Sequence, residues 1–204
     1  MPSQSKFLVI EGCNGVGKST IAEYLCARAG ASTFHYPPEF VSFRRDVHLD
    51  ELAPLPRLVY YLAATLHLSD LVRAQLTQSH VVCDRYLASP LSLMIGDSAI
   101  EETEARQLTE PFGSYLCMPD LILLLTAEHA AASARICNRS LKSGTLTPVA
   151  RRMLESEEFF QKRENAFRQL AMRLGPVVEL DTTNLSPEEM CNSAWSLLAP
   201  KLNW

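Results

Sequence analysis

Residues 7 to 19 read Phe7-Leu8-Val9-Ile10-Glu11-Gly12-Cys13-Asn14-Gly15-Val16-Gly17-Lys18-Ser19. The stretch Gly12 to Ser19 fits G-x-x-x-x-G-K-[ST] without a mismatch, where average residue frequencies give roughly 0.01 chance matches in a chain of this length. Phe7 to Glu11 is a short apolar run that predicts a buried parallel strand. Ser19 to Ala29 predicts a helix stopped by Gly30. Strand, glycine loop and helix together aim backbone N–H groups and a helix N-terminus at a polyphosphate. The pattern predicts a nucleoside triphosphate with Mg²⁺. Gly12, Cys13, Asn14, Gly15, Val16, Gly17, Lys18, Ser19 and Thr20 would form its cradle. Lys18 would reach the β/γ-phosphates, and the Ser19 hydroxyl would face the metal.

Composition sets the frame around this loop. The chain has 204 residues, is 47% hydrophobic and carries a net charge of −4. That is enough for one domain with a sizeable core, and it offers no global field for nucleic acid. Six cysteines (13, 26, 83, 117, 137, 191) show no C-x-x-C pair and no histidine at zinc spacing. Reduced thiols in the cytoplasm are expected. Cys13 reads as a small residue fitting a tight turn. No apolar run approaches the ~20 residues that span a bilayer. A phosphate loop starting at residue 12 leaves no room for a cleavable signal.

Strand candidates then alternate with helices. Ser32 to Tyr36 predicts a second strand, ended by Pro37-Pro38. Pro54 to Pro56 open a helix over 57–78, and Val81 to Asp84 is a third strand. Helices are expected over 89–94 and 100–110, a central strand over 121–125, and a helix over 128–139. After a linker with Ser143-Gly144-Thr145, the N-cap Thr147-Pro148 opens a helix expected to reach Leu174, where Gly175-Pro176 stops it. Val177 to Asp181 is the last strand, and Ser186-Pro187-Glu188-Glu189 is a capping box for the final helix. Five strands joined by helices imply an α/β three-layer fold with a parallel sheet.

Ligands of such sheets bind at the carboxyl ends of the strands. Gly12 to Ser19, His35 to Arg45, Asp84-Arg85-Tyr86 and Asp181-Thr182-Thr183 all fall there. Asp84 is placed as the second Mg²⁺-side group beside Ser19. Arg85 is suited to a bidentate grip on an acceptor phosphate. The linker before Pro148 is flanked by Arg135, Arg139, Lys142, Arg151 and Arg152. Of these, Arg139, Arg151 and Arg152 are candidates to stabilise transferring charge, whereas Arg135 and Lys142 read as solvated.

Taken in order, Phe7 through Thr20, Asp84-Arg85-Tyr86 with Ser89, Pro119-Asp120-Leu121, Glu157-Glu158-Phe159-Phe160 and Ser186 to Glu189 make the chain resemble the thymidylate kinase family. The likeness spans nearly the whole chain. It implies transfer of the ATP γ-phosphoryl group to a deoxynucleoside monophosphate, dTMP or a related pyrimidine nucleotide. It also implies a homodimer and a mobile lid at about residues 138–150. By the same resemblance Lys18 and a lid arginine, Arg139 or Arg151, stabilise charge. Arg85 holds the acceptor phosphate, and Tyr86 flanks the deoxyribose.

The departures concern the acceptor. Asn14 stands where the family often has Asp. The family's thymine-reading Arg falls at Thr65 or Leu66, with Tyr61 left as a stacking candidate. Tyr36-Pro37-Pro38-Glu39-Phe40 lacks the expected arginine, for which Arg44 or Arg45 would substitute. An alternative is a deoxynucleoside kinase acting on a 5′-hydroxyl with Glu39 as base. A nucleotide-dependent switch or an inactive nucleotide-binding relative is the reading from another class, and no guanine-reading N-K-x-D segment is present.

Overall fold

A computed structural model describes residues 5–38 and 51–204. Five parallel strands form one sheet in the order β2-β3-β1-β4-β5. They are β1 Phe7–Gly12, β2 Ser32–His35, β3 Val81–Asp84, β4 Leu121–Thr126 and β5 Val177–Asp181. The inner strands β1, β3 and β4 are buried along their whole length. Both faces of a parallel sheet are covered, so these strands read as continuous apolar runs. The edge strands β2 and β5 mix half-buried and exposed positions. Asp120 fixes where β1 begins: its carboxylate accepts from the Phe7 N–H at 2.8 Å and from Lys6 Nζ at 3.0 Å. Register then sets Ile10 beside Asp84, His35 beside Asp84, and Thr126 beside Asp181. The polar strand ends therefore share one edge of the sheet.

Among the described residues the helices are α1 Lys18–Ala29, α2 Pro54–Gln75, α3 Ala88–Gly96, α4 Glu102–Thr109, α5 His129–Ser143, α6 Pro148–Glu155, α7 Glu157–Leu174 and α8 Pro187–Leu202. A 3₁₀ turn, Glu110–Tyr115, follows α4. Gly30 ends α1 at φ 63°, as its position predicts, and Ser186 and Glu189 form the expected capping box of α8. No helix among the described residues is long and apolar enough to cross a membrane.

Three boundaries differ from the sequence reading. The second helix starts at Pro54, not 57, because prolines are tolerated in the first turn. The segment expected as a lid, 138–150, is helical on both sides of a short turn. α5 continues past Arg139 to Ser143 and ends on Gly144 at φ 68°. The helix expected from Thr147 to Leu174 is two helices. Ser156 is extended (φ −140°, ψ 107°), and its hydroxyl accepts from the Phe159 N–H at 3.1 Å, so it caps α7.

The helix α3 is buried at every position except Ile95 and packs most extensively against α7. Gly96 allows that approach: a Cβ there would stand 2.5 Å from Arg163 Cγ and 3.0 Å from Phe159 Cε2. Gly96→Ala is expected to lower stability by about 1–3 kcal/mol through overpacking, despite the better helix propensity of alanine. Urea unfolding measures it, and an unchanged midpoint would show that α3 and α7 have slack between them.

Candidate active site

The phosphate loop leaves β1 through backbone that only glycine adopts easily. Gly12 stands at φ 136° and Gly15 at φ 86°. A Cβ on Gly12 would run into the Leu125 carbonyl oxygen, and one on Gly15 into that of Ala132. Gly17, at φ 98°, is the N-cap of α1, which has no capping side chain and no acidic residue in its first turn. Its N-terminal N–H groups are thus left to an anion. Lys18 is buried, with Nζ donating to the Cys13 carbonyl at 2.5 Å. Burial, then the Arg85 charge, holds its pKa well below the usual lysine range.

At the tip of β3, Asp84 Oδ2 accepts from Ser19 Oγ at 2.7 Å, and His35 Nδ1 lies 3.7 Å from the same oxygen. Asp84 Oδ1 is buried without a hydrogen-bond partner. A buried carboxylate oxygen without a donor is costly, and a hard cation such as Mg²⁺ satisfies it. No cluster of three or more metal-ligating side chains occurs among the described residues.

Arg85 follows at φ 78°, a left-handed backbone rare for a non-glycine residue. Its Nη1 donates to the Gly12 carbonyl at 3.2 Å and to Ser89 Oγ at 3.1 Å, and Nη2 to Asn14 Oδ1 at 2.8 Å. Behind it lies Glu11, wholly buried. Glu11 Oε2 accepts from Ser89 Oγ at 2.6 Å, and Oε1 from the N–H groups of Tyr86 and Ser89 at 2.8 and 3.2 Å. Burial pushes its pKa up to about 7, against the opposing pull of the Ser89 hydrogen bond and the Arg85 charge. The sequence reading took Glu11 only as strand. The available signal was a lone carboxylate in an otherwise apolar inner strand.

A cleft of about 840 Å³ opens from the loop towards α5 and α8. Asn14, Gly15 and Gly17 to Thr20 line it together with Asp84 and Arg85. The helix α5 contributes Arg135, Asn138, Arg139 and Lys142, and Leu185, Pro187 and Met190 form its apolar end. Arg135 is not the solvated cation expected. It donates to the carbonyls of Thr182 (2.5 Å), Thr183 (3.2 Å), Leu185 (3.3 Å) and Gly15 (3.4 Å). It thereby ties the turn after β5 to the phosphate loop.

Several expected residues lie elsewhere. Tyr86 is a correction: it is wholly buried, edge-on to Phe7 with ring centroids 5.6 Å apart, and its hydroxyl bonds Ser69. It packs the core and cannot flank a sugar in this arrangement. Arg151, on α6, is exposed and does not line the cleft. Arg152 is ion-paired with Asp97. Cys13 and Val16 are buried, so they present backbone only. Tyr61 is half-buried against Tyr60 and does not line this cleft. Thr65 is fully buried, its hydroxyl on the Tyr61 carbonyl at 2.9 Å. Glu39, Arg44 and Arg45 lie outside the described residues.

Comparison with known proteins agrees with this geometry. The family model described as Thymidylate kinase matches residues 10–193. The chain is 25% identical over 195 residues to a probable thymidylate kinase of Methanocaldococcus jannaschii, covering 91% of this chain and 92% of that one. It is also 25% identical over 219 residues to a thymidylate kinase of Francisella tularensis subsp. novicida, covering 98% and 99%. Among solved structures, thymidylate kinase from Candida albicans superposes with a TM-score of 0.70 at 16% identity, covering 100% of this chain and 95% of that one. A deoxyadenosine kinase from M. mycoides superposes with a TM-score of 0.68 at 18% identity, covering 95% and 99%. At these identities the two superpositions speak for the fold alone.

The raised pKa of Glu11 has a definite sign. The folded protein favours the neutral acid, so stability is fully retained below the ordinary glutamate value of 4.5 and falls as pH rises to about 7. Glu11→Gln removes that titration. Between pH 5 and 8 the variant is expected to gain on the parent by about 3 kcal/mol at most. Denaturant unfolding at both pH values measures the gain, and a pH-independent difference would place the Glu11 pKa near its ordinary value.

Proposed function

Because the chain belongs to the thymidylate kinase family, and is thereby a nucleoside monophosphate kinase, we propose that it transfers the γ-phosphoryl group of ATP to dTMP or a related pyrimidine deoxynucleotide. The observation that carries this reading is the anchoring of Arg85. Three hydrogen bonds fix its guanidinium beside the phosphate loop, next to Asp84 and Ser19. A planar fork held in that way suits a monophosphate dianion. Phosphoryl transfer needs in-line positioning and neutralised charge more than it needs a base.

The roles follow from placement. The loop N–H groups and the α1 N-terminus bind the ATP phosphates, with Lys18 on the transferring group. Arg139, with Lys142 about one turn further along the same face of α5, meets developing charge from the opposite wall. Ser19 and Asp84 would hold Mg²⁺, which would supply neutralising charge beside the phosphates. Leu185, Pro187 and Met190 give the donor base an apolar seat. Asn14 turns its carbonyl oxygen to Arg85, so it helps to aim the arginine. We read the lid as the end of α5 with the Gly144 to Thr147 turn. Exposed Leu55 and Val59, one helical turn apart on α2, support a homodimer. The enzyme is read as a single cytoplasmic domain.

Two predictions test the reading. Lys18→Ala is expected to reduce acceptor-dependent ADP release by about 10²-fold or more, measured with saturating ATP and a panel of nucleosides and nucleoside monophosphates. No acceptor-dependent ADP from the parent protein with any panel member would defeat the proposal. Glu39→Gln is expected to leave monophosphate turnover within about threefold, since an ionised acceptor needs no base. If that variant is dead and the parent accepts only nucleosides, the 5′-hydroxyl reading wins.

A further inference from the structure

Asp97 caps α3 where three helices meet. Its Oδ2 lies 3.2 Å from Arg57 Nη1 of α2, and both side chains are almost wholly buried. Its Oδ1 is paired with Arg152 Nη2 of α6. The Arg152 guanidinium also stacks on Phe159 of α7, with its central carbon 4.2 Å from the ring centroid. At the other end of α3, Ser89 holds Arg85 and Glu11. The rod between is buried except at Ile95, so its two ends move together. It is about 14 Å long at 1.5 Å per residue. The helix α6 in turn follows the Gly144 turn, which joins it to the end of α5, where Arg139 and Lys142 face the cleft.

We propose that Asp97 is a positioning residue for phosphoryl transfer: by gripping Arg152 it sets how α6 stands against α3, and hence where Arg139 and Lys142 stand relative to Arg85. It touches no nucleotide. The Asp97 side chain is only 8% exposed, whereas that of Arg152 is 41% exposed. The carboxylate is thus the fixed end and the arginine the adjustable one. Arginine suits this pair because one guanidinium nitrogen, Nη2, meets the carboxylate while the planar face lies on the ring, which an ammonium group does not match. A displacement of the α5 cations by about 1 Å is enough to slow a reaction that depends on alignment.

The inference rests on reading the cleft as a phosphoryl-transfer site, and its test separates the two. Steady-state kinetics of the full chain are compared for Arg152→Met, Arg152→Lys, Asp97→Asn and the double variant Asp97→Asn/Arg152→Met, with urea unfolding of each. Arg152→Met keeps the contact with Phe159 and is expected to fold as the parent does. Its kcat should fall about tenfold or more, while KM for the monophosphate moves less than about threefold. Arg152→Lys should recover part of kcat, and the double variant should be no slower than Asp97→Asn. Should Asp97→Asn fail to fold, because it removes a buried charge facing Arg57, the two Arg152 variants still decide. Unchanged kcat in Arg152→Met overturns the proposal, as does a rise in KM alone. An inactive parent protein would instead sink the kinase reading.

Discussion

Arg85 occupies backbone that costs a non-glycine residue about 1–2 kcal/mol, and much of the site is organised around that one residue. Its N–H still donates to the Ile10 carbonyl at 3.0 Å, which continues the β1–β3 ladder one step past the strand. The left-handed turn then brings its guanidinium back across β1 to Gly12 and Asn14. This works only because Ile10 pairs with Asp84; a slip of one residue would turn every side chain to the other face. Ser89 completes the arrangement by facing both Arg85 and Glu11. Phosphate loop, strand tip and α3 are therefore one hydrogen-bonded unit, and the strain at Arg85 is offset inside it.

That unit explains why the sheet was legible in the chain and parts of the site were not. Strands announce themselves by burial: Leu121 to Leu125 is apolar because both faces are covered, and the phosphate loop has to follow such a strand. Helix ends depend on single residues. Ser156 breaks one expected helix in two because its hydroxyl outbids continuation of the helix, and a serine inside a polar run carries no clear sign of that. The extension of α5 to Ser143 mattered more. Arg135, Arg139 and Lys142 fall at i, i+4 and i+7, one face of a helix. Treated as residues flanking a linker, they offered no way to choose among them. Tyr86 failed for a different reason, since adjacency to Arg85 does not carry orientation: neighbouring residues at a strand end point apart, and Tyr86 goes to the core.

Among the described residues, the polar groups of α2 next to Tyr36 and Tyr86 are spent internally. Tyr36 Oη donates to the Tyr61 carbonyl at 3.0 Å, which also takes the Thr65 hydroxyl, and Ser69 bonds Tyr86. These groups make a satisfied ladder along α2, and a satisfied buried group has little left for a substrate. Strong base discrimination requires donors that are left unpaired by the wrong base. Thr65 is no such donor, so under the proposed kinase reading selection of the base would not rest on it.

Charge distribution supports the same division of labour. The chain as a whole is negative, at −4, yet Lys18, Arg85, Arg135, Arg139 and Lys142 all line one cleft, with Asp84 as the carboxylate among them. Arg135 gives its charge to four carbonyls and so serves the scaffold. Lys18 is buried and repelled by Arg85, and both effects disfavour its charged form. A polyphosphate reverses that balance, because an adjacent anion favours the ammonium by more than burial penalises it when the contact is close. Lys18 and Arg85 thus repel each other in the protein alone and become compatible around bound phosphate. For this reason the convergence of Lys18 and Arg85, with Arg139 and Lys142 on the facing helix, is better explained by a phosphorylated ligand than by any contribution to the fold.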